Sequence, residues 1–299
     1  MPSVNKQFTA ATASTFRLGG DIKVNRIGFG AMRITGQPGN WGDPPDLSAA
    51  RQLLRRAVEL EVNFIDTADA YGPGVSERLI AEALHPYPEG LVIATKGGVV
   101  KTGPEQMHLD GSPKHLKDAC ETSLRHLRVE CIDLYQLHRP DPAVPFEESV
   151  GALAELQAQG KIRHIGLCNV DANQLARARE SATIVSVQNP YSLIRREEEE
   201  LVDLCTRAGI AFIPYGPLGA APFEKEAPLT RSGGLLNSFA QRYQVTPGQV
   251  ALAWLLARSP VMLPIPGTTS VQHLEENIAA AQLRLSEDDF VALSSGGSG

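Results

Sequence analysis

Short apolar runs alternate with amphipathic segments along most of the chain. Eight runs of four to six residues are apolar enough to be strands buried on both faces. They cover residues 27–32, 63–66, 91–95, 132–137, 162–167, 184–188, 210–215 and 261–265. The segments between them, such as 47–61, 114–127 and 146–159, carry apolar residues at helical spacing. Strands that alternate with helices predict a parallel sheet, and eight of them predict a closed (β/α)8 TIM barrel of the α/β class.

A doubly wound open sheet is the competing topology. It is disfavoured because no G-x-G-x-x-G sequence opens a helix after an early strand. Two alternating runs around a Gly-Gly-Asp turn predict an N-terminal β-hairpin over residues 15–24. We expect one domain over residues 15–293, with flexible tails at 1–14 and 294–299. The Pro- and Gly-rich connection over residues 216–234 is long enough to form a lid or clamp.

Composition narrows the range of functions. The length of 299 residues suits a single α/β barrel, and 42% apolar with 21% charged residues is typical of a soluble globular protein. A net charge of −6 and the absence of any Lys/Arg run argue against nucleic acid as a partner. The chain shows no signal peptide and no run of about eighteen apolar residues that would cross a membrane. We expect a cytoplasmic protein, a monomer, that binds neither nucleic acid nor a membrane.

Cysteine and histidine spacing gives no sign of a metal site. The four cysteines are scattered without a C-x-x-C pair, and the seven histidines form no H-E-x-x-H or comparable cluster. We therefore expect reduced thiols and a site without a metal.

Three successive predicted strands end in side chains that suit one reaction. Asp66 ends the second strand and Tyr71 follows in its loop, while Lys96 ends the third and His138 the fourth. Because barrel strands are parallel, these side chains would meet at the carboxyl-terminal rim, where barrels carry their chemistry. Taken singly, Asp66 could be a helix N-cap beside a surface tyrosine, and His138 could be a core histidine. Their order on three neighbouring strands favours catalysis.

The motifs that carry these residues resemble one family. FIDTADAYG…SE, IATKGG and IDLYQLH are similar to segments of the aldo-keto reductases. The resemblance implies a catalytic tetrad of Asp66, Tyr71, Lys96 and His138. In such a tetrad the tyrosine protonates the alkoxide that hydride transfer creates, the lysine lowers the pKa of the phenol, and the aspartate fixes the lysine. The histidine orients the carbonyl oxygen.

The same resemblance implies contacts to a nicotinamide cofactor, for which we expect NADPH with NADH as the alternative. The implied contacts lie on the first strand, at the ends of later strands and around the start of the last helix. They are Gly30, Met32, Asp66, Cys168, Asn169, Gln188, Tyr215, Gly216, Pro217, Leu218, Gly219, Gly267, Thr268, Thr269, Ser270, His273, Glu276 and Asn277.

Individual roles follow from the resemblance. Amides of Asn169 and Gln188 would hold the nicotinamide carboxamide, and Tyr215 would stack on its ring. Residues 216–219 would lie across the pyrophosphate, and hydroxyls and N–H groups before the last helix would bind an anion. Two positions, Gly267 and His273, stand where many relatives carry Lys and Arg against the 2′-phosphate, which keeps NADH open.

The substrate is less constrained than the chemistry. Trp41, Tyr71 and His138 would line the mouth, and the chain ends soon after the last predicted helix, so we expect an open pocket for a small aldehyde. The segments GFGAMRITG…NWGDPPD and QLHRPDPAVPFEESVGALAELQAQGKIRHIG resemble a bacterial branch that includes pyridoxal reductases. Arg33 and Arg139 would meet a polar ring substituent or remain solvated.

A different class of function stays open beside reduction. Some members of this fold are regulatory subunits of potassium channels that bind the cofactor with little turnover. The complete tetrad favours an enzyme over such a binding role.

Overall fold

The computed structural model describes residues 8–219 and 234–296. The strands are β1 (Thr15–Leu18), β2 (Ile22–Asn25), β3 (Phe29–Gly30), β4 (Phe64–Asp66), β5 (Val92–Gly97), β6 (Val99–Lys101), β7 (Met107–Leu109), β8 (Ile132–Leu137), β9 (Ile162–Cys168), β10 (Ile184–Gln188) and β11 (Ala211–Phe212). The α-helices are α1 (Leu47–Glu59), α2 (Val75–Leu84), α3 (Pro113–Leu127), α4 (Phe146–Ala158), α5 (Ala172–Ser181), α6 (Glu199–Ala208), α7 (Leu235–Tyr243), α8 (Pro247–Arg258), α9 (Val271–Ala279) and α10 (Glu287–Gly296).

A parallel sheet of seven strands forms the centre of the molecule. Its order is β11-β10-β9-β8-β5-β4-β3, so each strand lies beside its predecessor in the chain once the β6–β7 hairpin is set aside. Asp66 on β4 pairs with Ala94 on β5, and Lys96 on β5 pairs with Gln136 on β8. This register brings the carboxyl ends of neighbouring strands to one rim.

Residues 261–265 close the sheet into a barrel. Phe212 N–H donates to the Val261 carbonyl at 2.9 Å, and Leu263 N–H donates to the Phe212 carbonyl at 2.8 Å. On the other side, Gly28 N–H donates to the Pro264 carbonyl at 2.9 Å. Proline has no N–H to complete a regular ladder, so this segment forms only an isolated bridge rather than the predicted strand. The predicted TIM barrel is confirmed.

The core has an inner and an outer part. The inner cluster fills the barrel with residues from the strands and from the predicted hairpin β1–β2, which contributes Leu18, Ile22 and Val24. The outer cluster lies between the strands and the surrounding helices. Because the hairpin packs on strand-start residues such as Phe64 and Val92, it covers the amino-terminal end and leaves the opposite rim for a site.

Several helices begin at a polar side-chain cap that the sequence supplies. Asp46 accepts from Ala49 N–H at 2.9 Å at the start of α1. Capping boxes open α5, from Asp171, and α8, from Thr246. Such caps satisfy N–H groups that have no partner inside the helix, which fixes where each helix starts.

Several segments differ from the prediction. Within the expected tail at 1–14, Ala10–Ala13 form a 3-10 helix with Ala10 and Ala13 buried, since small side chains pack closely on the core. Within the expected tail at 294–299, α10 continues to Gly296, and Trp254 Nε1 donates to Ser294 Oγ at 2.9 Å. Between β5 and α3 the chain forms the antiparallel hairpin β6–β7, where no strand was predicted.

The remaining parts of three predictions fall outside the described residues. Residues 1–7 and 297–299 of the expected tails lie there, as do residues 220–233 of the expected lid. Among the helices of the described ranges, none has both the length and the apolar character needed to cross a bilayer.

Candidate active site

A buried ion pair lies at the ends of strands β4 and β5. The ammonium of Lys96 donates to Asp66 Oδ1 at 2.6 Å and to the Thr67 carbonyl oxygen at 2.7 Å. The two charged side chains are 0% and 2% exposed. The register accounts for the contact, because Ala94 pairs with Asp66 and Lys96 lies two residues farther on the same face of β5. A charge buried this deeply needs a partner of opposite sign, and Asp66 supplies it.

Two amides hold the other carboxylate oxygen. Gln136 Nε2 donates to Asp66 Oδ2 at 3.2 Å, and Gln188 Nε2 donates to the same oxygen at 2.8 Å. Asp66 therefore accepts hydrogen bonds on both oxygens, which offsets part of the cost of burying its charge. Gln136 was not among the predicted site residues, although its polar side chain inside the apolar run 132–137 was the available signal.

Tyr71 presents its phenol to the buried ammonium. Its Oη lies 3.5 Å from Lys96 Nζ, and that nitrogen lies 5.1 Å from the centre of the ring. We expected Lys96 to lower the pKa of Tyr71. Burial instead outweighs the lysine charge and raises the pKa of Tyr71 to about 12, with Lys96 opposing the rise. The phenol therefore keeps its proton at neutral pH.

The lysine remains charged in the same surroundings. Burial disfavours the ammonium, but the charge of Asp66 and its hydrogen bond hold the pKa of Lys96 above the ordinary value. The site thus combines a protonated phenol with a permanent cation beside it.

Backbone hydrogen bonds fix the loop that carries Tyr71. Asp69 N–H donates to the Lys96 carbonyl at 3.2 Å, and Gly72 N–H donates to the Asn40 carbonyl at 2.9 Å. At the start of α2, Ser76 N–H donates to the Tyr71 carbonyl at 3.1 Å. The tyrosine is therefore held between the end of β5 and the loop after β3.

His138 lies against the edge of the tyrosine. The two rings are 5.9 Å apart and nearly perpendicular, at 82°. Burial, with help from the charges of Lys96 and Arg139, lowers the pKa of His138 well below its ordinary value, so the imidazole is neutral. Its Nδ1 is buried without a hydrogen-bond partner among the described residues. A neutral imidazole can donate one hydrogen bond to a carbonyl oxygen.

A cavity of about 880 Å³ opens at this rim. Its volume is that of a typical site for a small molecule or cofactor. The expected site residues that line it are Gly30, Met32, Asp66, Tyr71, His138, Cys168, Asn169, Gln188, Tyr215, Gly216, Pro217, Leu218, Gly267, Thr268, Thr269 and His273. Those that do not line it are Trp41, Lys96, Gly219, Ser270, Glu276 and Asn277.

Three of the residues off the lining have other observed surroundings, and their predicted roles remain predictions. Trp41 is 37% exposed, and its neighbour Asn40 lines the cavity. The Ser270 hydroxyl accepts from His273 N–H at 3.4 Å as the N-cap of α9 and keeps its own O–H to donate to a ligand. Lys96 contacts Asp66, which lines the cavity.

Side chains that were expected to hold a cofactor also form hydrogen bonds within the protein. Gln188 donates one N–H to Asp66. Asn169 Nδ2 donates to the His138 carbonyl at 3.0 Å, and its Oδ1 accepts from Tyr215 Oη at 2.8 Å. Each amide keeps a second N–H for a ligand. Cys168 points its thiol at Gln136 Oε1, 3.6 Å away, so it belongs to the network around Asp66.

Packing explains the glycine at position 267. A Cβ there would lie 2.7 Å from the Gly30 carbonyl oxygen, and a Cβ on Gly30 would lie 2.6 Å from the Ile265 carbonyl oxygen. The seam that closes the barrel therefore has no room for a side chain at either position.

The hairpin β6–β7 forms a wall that the sequence analysis missed. Val99, Lys101 and Met107 line the cavity from this hairpin. The ammonium of Lys101 donates to the Gly39 carbonyl and, at 3.4 Å, to the Asn40 carbonyl, which ties the hairpin to the loop after β3. No cluster of His, Cys, Asp and Glu within residues 8–219 and 234–296 is arranged to hold a metal ion.

Comparisons with known proteins agree with this geometry. Residues 26–295 match the model of the Aldo/keto reductase family. Over 284 residues the chain is 47% identical to an uncharacterized oxidoreductase of Schizosaccharomyces pombe, covering 95% of this chain and 90% of that protein. Over 285 residues it is 44% identical to the pyridoxine 4-dehydrogenase of Escherichia coli, covering 93% and 96%. An aldo-keto reductase from Klebsiella pneumoniae in complex with NADPH superposes with a TM-score of 0.78 at 27% identity, covering 94% of each chain.

Breaking the buried pair should cost more than removing both charges. We expect Lys96→Met to lower the free energy of unfolding by about 3–5 kcal/mol, because it leaves the Asp66 carboxylate buried without a cation. The double variant Asp66→Asn/Lys96→Met should be more stable than Lys96→Met alone. Denaturant unfolding of each variant measures this, with Lys114→Met in the exposed Lys114–Asp118 pair as a control that should not change. A Lys96→Met protein as stable as the wild type would contradict the prediction.

Proposed function

The chain belongs to the aldo/keto reductase family, and from this premise we propose that it reduces the carbonyl group of a small aldehyde with NADPH. One observation carries the proposal. The Tyr71 hydroxyl lies 3.5 Å from the ammonium of a fully buried lysine, and that lysine is held by a carboxylate 2.6 Å away. This arrangement suits proton transfer, because the stability of the fold does not require a phenol beside a buried ammonium.

The residues of the cavity fit a nicotinamide cofactor. One wall offers the spare N–H groups of Asn169 and Gln188 beside the ring of Tyr215. Another wall, before α9, offers backbone N–H groups at a helix start, which favour a phosphate. A homologous fold from Klebsiella pneumoniae carries NADPH, which supports NADPH here. Bound NADPH would supply the hydride that adds to the carbonyl carbon.

Tyr71 would supply the proton for the carbonyl oxygen. The phenol keeps its proton until negative charge develops on that oxygen, because its pKa is raised to about 12. As the proton leaves, the Lys96 ammonium stabilises the phenolate that forms. Asp66 keeps the lysine charged throughout, and Gln136 and Gln188 keep Asp66 in place.

His138 would orient the substrate. Its neutral ring stands perpendicular to the Tyr71 ring, so an imidazole N–H and the phenol O–H can converge on one oxygen. Two donors fixed before the reaction stabilise the developing negative charge without reorganising. The low pKa of His138 leaves the proton transfer to Tyr71.

For the substrate we propose a compact polar aldehyde, with pyridoxal as the leading candidate. The support is identity of 44% to the pyridoxine 4-dehydrogenase of Escherichia coli over nearly the full length of both chains. The cavity adds polar side chains, among them Asn40 and Arg139, that can bind ring hydroxyls.

Removing the phenol oxygen should remove catalysis and spare cofactor binding. We expect Tyr71→Phe to lower kcat for aldehyde reduction at least about a hundredfold, since the general acid is lost while the ring remains. Fluorescence titration should give nearly unchanged NADPH affinity. Retention of most of the wild-type kcat would refute the assignment of Tyr71. A wild-type protein that binds NADPH but turns over no aldehyde would support the regulatory-subunit alternative.

Substrate comparison tests the narrower assignment. With NADPH in excess, we expect kcat/KM for pyridoxal to exceed that for a ketosteroid by about tenfold or more, because Asn40 and Arg139 can hydrogen-bond ring hydroxyls that a ketosteroid does not offer at those positions. Nitrobenzaldehyde and methylglyoxal serve as generic aldehydes in the same assay. If pyridoxal falls well below both, the pyridoxal assignment fails and the reductase assignment stands.

A further inference from the structure

We propose that, among compact polar aldehydes, the site prefers those that carry an anionic group, a carboxylate or a phosphate, over their neutral counterparts, so that pyridoxal phosphate is reduced better than pyridoxal, and that Arg139 makes this selection. The proposal rests on the reductase function proposed above and specifies the substrate class of the same site.

Three cations lie on one side of the rim. Arg33 follows β3, Lys101 lies on β6 just after β5, and Arg139 follows β8. Since the sheet order is β8-β5-β4-β3, the loops that bear these cations are neighbours, and the Tyr71 loop after β4 lies among them. All three side chains line the cavity.

These cations have no acidic partner in the described part of the chain. Arg33 and Arg139 are exposed and make no hydrogen bond or ion pair with residues 8–219 or 234–296. Within the described residues, Lys101 donates to the carbonyl oxygens of Gly39 and Asn40 and to no carboxylate. Asp141, two residues after Arg139, instead accepts from Gly111 N–H at 3.0 Å and Ala143 N–H at 2.9 Å. No acidic residue of the described ranges therefore neutralises these three cations, and their charge can act on a ligand.

The acidic residues of the cavity lie elsewhere. Asp66 is neutralised by Lys96. Asp171 follows β9 and caps α5 by accepting from Gln174 N–H at 2.7 Å, and Glu198 follows β10. An anionic substituent placed over β5 and the adjoining side of β8 would thus meet cations, while the cavity carboxylates that no lysine neutralises lie on the far side of β8, after β9 and β10. A site favours a charged substrate when the wall that the charge faces carries the opposite sign and no charge of the same sign as the substrate.

Arg139 is the cation best placed to act on the substrate. It directly follows His138, and its charge contributes to the low pKa of that imidazole, so its field reaches the carbonyl-binding corner. Arg33, in contrast, follows Gly30 and Met32 on the side where residues 265–269 would hold NADPH. A planar guanidinium can bind a carboxylate or phosphate through two parallel hydrogen bonds.

The test compares pairs of related aldehydes, one member with an anionic group and the other without it. One pair is para-carboxybenzaldehyde and its methyl ester, and the other is pyridoxal phosphate and pyridoxal. The quantity is the ratio of kcat/KM, anionic over neutral, because any general effect of a mutation on catalysis cancels in it. The proteins are the wild type, Arg139→Gln, Arg139→Glu and the control Arg179→Gln, which removes an exposed positive charge on α5 outside the cavity.

We expect a ratio above one in the wild type. In Arg139→Gln the ratio should fall about tenfold in at least one pair, and in Arg139→Glu it should fall further. Arg179→Gln should keep the wild-type ratio. Added salt should lower the wild-type ratio, because it screens charges at an open mouth. The pair in which the ratio falls identifies the anionic group as carboxylate or phosphate.

Two results would overturn the proposal and are distinct from failure of the reductase function. If Arg139→Gln turns over both aldehydes with the wild-type ratio, Arg139 does not select an anion. If that variant weakens NADPH binding in a fluorescence titration with the ratio unchanged, Arg139 serves the cofactor. Turnover of neither aldehyde by the wild type would instead refute the reductase function and this proposal with it.

Discussion

A lysine charge with no exposure to water is the constraint on which the site depends. Burying such a charge is unfavourable, and two acceptors offset it. Lys96 Nζ donates to Asp66 Oδ1 at 2.6 Å and to the Thr67 carbonyl oxygen at 2.7 Å. Asp66 then needs partners for its second oxygen, which Gln136 on β8 and Gln188 on β10 provide. The ion pair and its hydrogen-bond partners thus come from strands β4, β5, β8 and β10. The parallel register of the barrel brings the ends of these four strands together.

The same burial decides the protonation states of the site. It raises the pKa of Tyr71 to about 12 and lowers that of His138, so both rings are neutral. Asp66 holds Lys96 charged against burial. The result is one proton held on a phenol, one fixed cation beside it and a second neutral donor at the edge. An incoming carbonyl oxygen therefore meets donors that are already in place, which is the condition for electrostatic stabilisation without reorganisation.

Pattern and spacing were sufficient to predict the barrel and the convergence of Asp66, Tyr71, Lys96 and His138, because neighbouring parallel strands place their carboxyl ends on one rim. They were not sufficient for contacts that depend on distances across the barrel. Three such contacts depend on the folded chain. They are the hydrogen bond from Gln136 to Asp66, the placement of Lys101 in the cavity wall by the hairpin β6–β7, and the capping of α9 by the Ser270 hydroxyl. Pro264, flanked by Pro260 and Pro266, likewise leaves the predicted strand at residues 261–265 as a closing segment with isolated pairing.

If Lys96 acts on the reaction through the Tyr71 phenol, removing the phenol removes the effect of the lysine. The most direct measurement is kcat/KM for one neutral aldehyde in Tyr71→Phe, in Lys96→Met and in the double variant. We predict that the double variant lies within about threefold of Tyr71→Phe alone, because residues that act as one unit are not additive. Losses that multiply in the double variant would show that Lys96 acts independently of Tyr71 and would contradict this account.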